Sequence, residues 1–368
     1  MKATLLIIFA IILTGFTSTV SADESTDSSK FDFMIEPMHV DETHWIIHEP
    51  LDWSSDGKSI LFRVWVELDS GQSSTSLVLI SPEGMVQKEL VFSGSQITGV
   101  DHAQIAPTND MIHILDNGKM YRYILATDEI VQLNTENYNV LFFDYYVYSE
   151  DEFGNYSIVY SVENRDFYPE DLTTKFSLLI MSEVVGLDTK STPSEFFSNI
   201  ENHKFQFSPD GKKILFMKTI NTGTDLINRV PAYIEAQDFG PHIIPNVYLN
   251  CADDLKWSPN NEIIVYLDKS CGRGERSGLM GLASIDGFNE KLIPPLEDFV
   301  NPYPRAFVVS PDGFDIVYVT NEELIGDSAD FYKLTLAKPI PEFSIIAMLI
   351  LFFSALPLLI LRKQLVIR

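Results

Sequence analysis

The chain has 368 residues and carries 26 basic against 52 acidic side chains, a formal charge of −26. A surface this acidic repels phosphate backbones, which excludes nucleic acid as a partner. A hydrophobic content of 45% is far too high for a disordered acidic tail, and two cysteines exclude a disulfide-built miniprotein or a cysteine-rich zinc module.

Residues 1–22 read as a signal peptide. Lys2 precedes the apolar run Leu5–Leu13, and Val20-Ser21-Ala22 places small residues where a signal peptidase cuts. The alternative is an uncleaved anchor, but nine continuous apolar residues fall short of the roughly 20 that a span needs. Residues 23–30, rich in Ser, Asp and Glu, read as a disordered lead.

The body, 31–338, shows a repeated phrase. It occurs as Trp53-Ser54-Ser55-Asp56-Gly57, Phe207-Ser208-Pro209-Asp210-Gly211, Trp257-Ser258-Pro259-Asn260-Asn261 and Val309-Ser310-Pro311-Asp312-Gly313. Apolar runs follow, such as Ile60-Leu61-Phe62 and Ile214-Leu215-Phe216. Weaker copies begin at Ile105 and Tyr148. The six markers Trp53, Ile105, Tyr148, Phe207, Trp257 and Val309 are separated by steps of 52, 43, 59, 50 and 52 residues. Pro presets one turn position and Asp-Gly or Asn-Asn tolerates the tight end, so each phrase predicts a hairpin. A period of about 50 residues holds four strands, the size of a propeller blade. The expected fold is all-β, a six-bladed propeller with four-stranded blades. After Val309 only Asp315–Thr320 and Phe331–Leu336 remain, so the last blade is one strand short. An N-terminal strand, from Phe31–Ile35 or His44–His48, would complete it and close the ring.

These phrases resemble the TolB-like β-propellers, whose blades carry W-S-P-D-G-K before an apolar strand. Phe207-Ser208-Pro209-Asp210-Gly211-Lys212 is the fullest match. The resemblance covers 45–336 and implies an interaction module of the cell envelope, with a surface protein or a glycan as partner.

Residues 339–342 form a short stiff connector. Phe343–Leu361 then gives 19 uncharged residues, about 28 Å as a helix, enough to cross a bilayer. Arg362, Lys363 and Arg368 in the basic end 362–368 put that end in the cytoplasm and the propeller on the extracellular side. The sorting motif Pro341-Glu342-Phe343, a span and a basic end together resemble archaeal PEFG-CTERM signals, with Ser344 where that family has Gly. That resemblance implies a sortase-like processing enzyme as a further partner.

Chemistry is sparse. No Gly-x-Ser-x-Gly elbow occurs and no hydrolase-sized segment follows the repeats, so a prolyl-oligopeptidase-type enzyme is not expected. Gly272–Gly278 lacks the Lys-Ser/Thr of a phosphate loop. His39, His44 and His48 could share a metal only with ligands that the spacing does not supply. The acidic clusters 150–152, 166–171 and 253–254 lack the alternating calcium loop. The reading assigns no catalytic, cofactor-binding or metal-ligating residue and no cofactor; its alternative is a lyase or glycosidase using paired carboxylates in the propeller channel. Asn155-Tyr156-Ser157 is a glycosylation candidate. Cys251 and Cys271 flank the turn at residue 261 symmetrically, so a hairpin there would set them opposite, within reach of a disulfide.

Overall fold

The computed structural model describes residues 33–336, apart from residues 39, 41–44, 68–72, 91, 93–95, 134–137, 148–155, 164–175, 184–193, 201–203, 222–226, 236–240, 246, 248–253, 260, 270–277, 287–288, 293–303 and 321–330. The described residues form a β-propeller of antiparallel strands. After β1 (Phe33–Met38), the first full sheet is β2 (Trp45–Trp53), β3 (Ile60–Glu67), β4 (Ser73–Ile80) and β5 (Val86–Leu90). The second is β6 (His102–Ile105), β7 (Met111–Asp116), β8 (Lys119–Ile124) and β9 (Glu129–Gln132). The third is β10 (Val140–Val147), β11 (Tyr156–Glu163), β12 (Phe176–Glu183) and β13 (Ser194–Ile200). The fourth is β14 (Phe205–Phe207), β15 (Lys213–Asn221), β16 (Ile227–Glu235) and β17 (His242–Ile243). The fifth is β18 (Asp254–Trp257), β19 (Ile263–Lys269), β20 (Gly278–Ser284) and β21 (Asn289–Leu292). The last holds β22 (Pro304–Val309), β23 (Asp315–Thr320) and β24 (Phe331–Leu336), and β1 pairs with β24 as its fourth strand. The expected N-terminal completion is therefore observed, with Phe33 opposite Leu336 and Met38 opposite Phe331.

The expectation of six four-stranded blades needs one correction. Five sheets have strands of at least four residues, whereas the fourth has an inner strand of three and an outer strand of two. Proline explains the outer one: Pro241 and Pro245 bracket His242-Ile243 and cannot donate to a ladder, so β17 meets β16 at two positions only. The structure thus carries five regular blades and one reduced sheet.

Register reveals a repeat tighter than the phrases suggest. Trp53 faces Ile60, Ile105 faces Ile112, Phe207 faces Ile214, Trp257 faces Ile264 and Val309 faces Ile316, each seven residues on. In the third sheet the residue facing the buried isoleucine is Tyr145, opposite Ile158, thirteen residues on. The expected marker Tyr148 lies outside the described residues, three positions further along. Six extra residues in that hairpin account for the offset. All six isoleucines are buried, as are the markers Trp53, Ile105, Phe207 and Trp257; Val309 is half-buried.

The turns form as their sequence dictates. Ser208 N–H donates to the Lys213 carbonyl at 2.8 Å, its Oγ donates to Asp210 Oδ1 at 2.7 Å, and Lys213 N–H donates back to that Oγ at 2.9 Å. Ser54 and Ser310 repeat the pattern. Gly211 sits at φ +70°, with Asn109 and Asn261 in the left-handed region where Gly is missing, a region that Asn tolerates. The core lies between neighbouring sheets: Ile60, Phe62 and Val78 pack with Val308, Val317 and Phe331 of the last sheet, so the end of the chain meets its beginning. Further clusters join the first and second sheets, the second and third, the third and fourth, and the fourth and fifth.

Residues 1–22, 23–30, 339–342, 343–361 and 362–368 lie outside the described residues, as do Cys251, Cys271, Asn155, His39, His44 and Pro341-Glu342-Phe343. Among the described residues no helix is long and apolar enough to cross a membrane.

Candidate functional site

The inner strands β2, β6, β10, β14, β18 and β22 surround a central channel that holds a cavity of about 360 Å³. The third residue before each inner-strand marker lines it: Pro50, His102, Phe142, Lys204, Asp254 and Ala306. Because a strand repeats every two residues, the residue just before the marker lies on the same side. That deeper layer is Asp52, Gln104, Asp144, Gln206, Lys256 and Val308, five polar side chains of six.

Three of these polar groups hold the next sheet in place. Asp52 Oδ2 accepts the Ile105 N–H at 2.8 Å, Asp144 Oδ2 accepts the Phe207 N–H at 2.6 Å, and Gln206 Oε1 accepts the Trp257 N–H at 2.7 Å. The acceptor precedes one marker and the donor is the following sheet's marker. Three backbone donors on the inner edges, where no further strand pairs, are thereby satisfied by side chains.

Burial sets the electrostatics. It pushes both Asp52 and Asp144 up to about 6, against the pull of Lys256 and of the backbone N–H groups they accept. Asp144 also raises Asp52, and Gln104 hydrogen-bonds Asp144 and lowers it. His102 is held well below the usual imidazole value, first by burial and then by Lys256, Lys204 and Arg63. Its ring stacks on Phe142 with centroids 4.3 Å apart, and its Nε2 has no hydrogen-bond partner among the described residues. Gln104 Oε1 is likewise without a donor, on a residue only 4% exposed. Two of the cavity's cations are paired, Arg63 with Glu49 at 2.5 Å and Lys204 with Asp254 at 3.7 Å. Lys256 has no ion pair or hydrogen bond from its side chain among the described residues.

Of the expected blade markers, Trp53, Ile105, Phe207 and Trp257 are buried, each in a different cluster between neighbouring sheets, Val309 is half-buried, and Tyr148 lies outside the described residues. Asp52 and Asp144, which sequence reasoning missed, are drawn into one channel from the first and third sheets. A signal for the first was present: Asp52, Gln104, Gln206 and Lys256 are polar residues directly before an apolar marker, where a core strand has no use for them. Asp144 was hidden by the longer third hairpin. No group of three His, Cys, Asp or Glu side chains arranged to hold a metal occurs among the described residues.

Sequence comparison finds no matching family model and no matching curated protein. Solved structures match in fold. TolB of Agrobacterium tumefaciens is 14% identical, with a TM-score of 0.50, covering 84% of this chain and all of that one. An acylaminoacyl peptidase of Pyrococcus horikoshii is 10% identical, with a TM-score of 0.48 over 82% of this chain; this chain spans about half, 53%, of it. The β-propeller domain of the Trilobed protease of Pyrococcus furiosus is 9% identical, with a TM-score of 0.47, covering 82% and 98%. At these identities the likeness establishes the fold alone: the chain is a β-propeller.

Proposed function

We propose that this chain is a binding module of the cell envelope: an exported propeller, anchored by 343–361, that presents its central channel to a surface protein or glycan. With the reduced fourth sheet counted, it is a six-bladed ring closed by β1. The observation that carries the reading is the cavity lined by all six inner strands, where His102 Nε2 and Gln104 Oε1, buried without a partner among the described residues, sit with Lys256. Concave sites with a few convergent polar groups are where propellers take ligands. Anchoring rests on the 19 uncharged residues and the basic end that follows them. The tail motif suggests processing by a sortase-like enzyme.

One observation favours an enzyme instead. Asp52 and Asp144 are paired carboxylates with raised pKa values in a channel, the kind of perturbation that acid–base catalysts show. Both already accept a backbone N–H, however, and neither lines the cavity. We therefore assign them to holding adjacent sheets. Turnover assays on a panel of acidic and neutral polysaccharides separate the two readings: binding without product supports the module, and chain cleavage lost in Asp144→Asn contradicts it. Cell fractionation tests the anchor: intact chain in the membrane fraction, and chain ended after Leu336 in the soluble fraction, are the expected results.

A further inference from the structure

We propose that the face carrying the marker turns is the side of the propeller that faces the bilayer, so that the channel cavity is presented away from the membrane to partners arriving from the exterior. This deepens the binding-module reading and rests on its anchor at 343–361.

The route by which the chain leaves the last sheet sets the orientation. β24 runs toward the marker turns: Phe331 pairs with Val319 at one end and Thr335 with Asp315 at the other. Leu336 N–H donates to the Phe314 carbonyl at 2.7 Å, inside the turn at 310–315. Leu125 and Ile285 make the same bond in the second and fifth sheets, to the Asp110 and Glu262 carbonyls, at 3.0 Å each. There the chain turns back along the third strand, as β9 or β21. In the last sheet that edge is taken by β1, which pairs with β24 from Phe33–Leu336 to Met38–Phe331. Residues beyond Leu336 cannot return along β24, and they leave at the turn face.

Reach closes the other route. The connector 337–342 has six residues, two of them Pro339 and Pro341. At 3.3–3.6 Å per residue it spans at most about 22 Å. β24, also of six residues, is about 20 Å long at about 3.3 Å per residue. A connector doubled back outside β1 would use its whole length in coming level with Phe331, with nothing left to enter a bilayer on that side. Leaving directly, it keeps the turn at 310–315 within about 22 Å of Phe343, where the span begins. The turns at 54–59, 106–111, 208–213 and 258–263 close with the same backbone bond and lie on the same face.

The cavity lies toward the opposite face. Inner strands run toward their markers, and one ring of lining residues sits three positions earlier, about 10 Å along the strand. Asp101 and Lys204 line the cavity from just before β6 and β14, at the ends away from the turns. Asp101 accepts the Asn117 N–H at 2.7 Å, from the hairpin of β7 and β8 on that opposite face. On the turn side stand Asp52 and Asp144, outside the cavity lining and engaged by the Ile105 and Phe207 N–H groups. A tether that holds the turns to the membrane thus turns the cavity away from it, and the ligand comes from outside rather than from the lipid.

The test is energy transfer from a fluorescent amino acid in the full chain to an acceptor dye on lipid headgroups, in phosphatidylcholine vesicles. That lipid has no net charge, which keeps repulsion of a chain of charge −26 out of the measurement. The fluorophore replaces Lys58 or Lys212, in turns of the first and fourth sheets, or Lys119 or Glu163 at the opposite face; all four are exposed. The expected result is strong transfer from Lys58 and Lys212 alike, with distances from Lys119 and Glu163 longer by the length of a strand, about 20 Å. Equal transfer from both faces, or stronger transfer from Lys119 and Glu163, would overturn the orientation. Strong transfer from Lys58 with weak transfer from Lys212 would overturn it too, because the ring would then lie on its side. Circular dichroism checks that each labelled chain folds, and the exposed turn residues Glu83 and Glu262 replace a turn position that does not. Vesicle flotation separates the two readings. A chain that fails to float refutes the anchor and this orientation with it, whereas a floating chain with reversed distances refutes the orientation alone.

Discussion

Asp144→Asn tests how the channel layer is held together. Asp144 is 7% exposed, its Oδ2 takes the Phe207 N–H at 2.6 Å, and burial raises its pKa from 3.8 to about 6. A carboxyl whose folded pKa lies above its unfolded value stabilises the fold most when protonated in both states, below about pH 3.8. That advantage is lost as pH rises through 6, because the unfolded chain ionises first. The cost of the ionised group works out at about 1.5 kcal/mol at pH 5 and about 3 kcal/mol at pH 8. An asparagine keeps an oxygen for the Phe207 N–H and removes the charge. Its new N–H₂ can donate to Gln104 Oε1, which has no donor in the native chain, once that amide turns over. The variant should therefore be more stable than the native chain, and more so at pH 8 than at pH 5. Urea unfolding followed by tryptophan fluorescence at the two pH values, read as midpoints at constant slope, measures the difference. Asp144→Val, which removes the acceptor as well, should forfeit about 1–3 kcal/mol of that gain. A variant Asp144→Asn that is equally destabilised at both pH values would refute the reasoning, since the charge would then be an asset.

Three other expectations follow from local geometry. Ser208→Ala removes one donor and one acceptor from the turn at Asp210 and should cost about 1–2 kcal/mol in the same assay; no change would mean that the turn stands on Gly211 alone. Gly281→Ala would place a Cβ 2.2 Å from Cζ of the buried Tyr266, so it should destabilise by about 1–3 kcal/mol through overpacking, and a neutral result would show slack in the fifth sheet. Cys251 and Cys271 flank the hairpin of β18 and β19, whose pairs run from Asp254–Leu267 to Trp257–Ile264. Thiol titration of the denatured, unreduced protein should find no free thiol, and two would refute the bridge.

Much of the fold was legible because each hairpin is written locally. Ser-Pro-Asp-Gly, or Ser-Ser-Asp-Gly at Ser54, carries its own hydrogen bonds and its own positive-φ residue, so the phrases at Ser54, Ser208 and Ser310 appear as turns without help from the rest of the chain. The missing strand of the last sheet was legible by counting, and β1 supplies it. The third sheet was harder to place, since its hairpin is six residues longer and a phrase-based alignment lands on Tyr148 instead of Tyr145. The reduced fourth sheet was signalled only by Pro241 and Pro245, whose effect depends on where the ladder falls. The candidate site was the least legible part. Asp52, Asp144 and Lys256 are separated by 92 and 112 residues, and only closure of the ring brings their charges together. Nothing local marks such a layer, because each residue alone reads as a polar position at a strand end.

The central claim is that this propeller binds a cell-surface partner through its channel. Crosslinking on intact cells, with the linked residues mapped by mass spectrometry, tests it most directly. The account predicts links from the channel lining, within 49–51, 101–104, 204–206 and 254–256, to a surface protein or glycan, and their loss in the Lys204→Gln, Lys256→Gln double variant. Links confined to the outer strands β5, β9 and β21, unchanged in that variant, would contradict it.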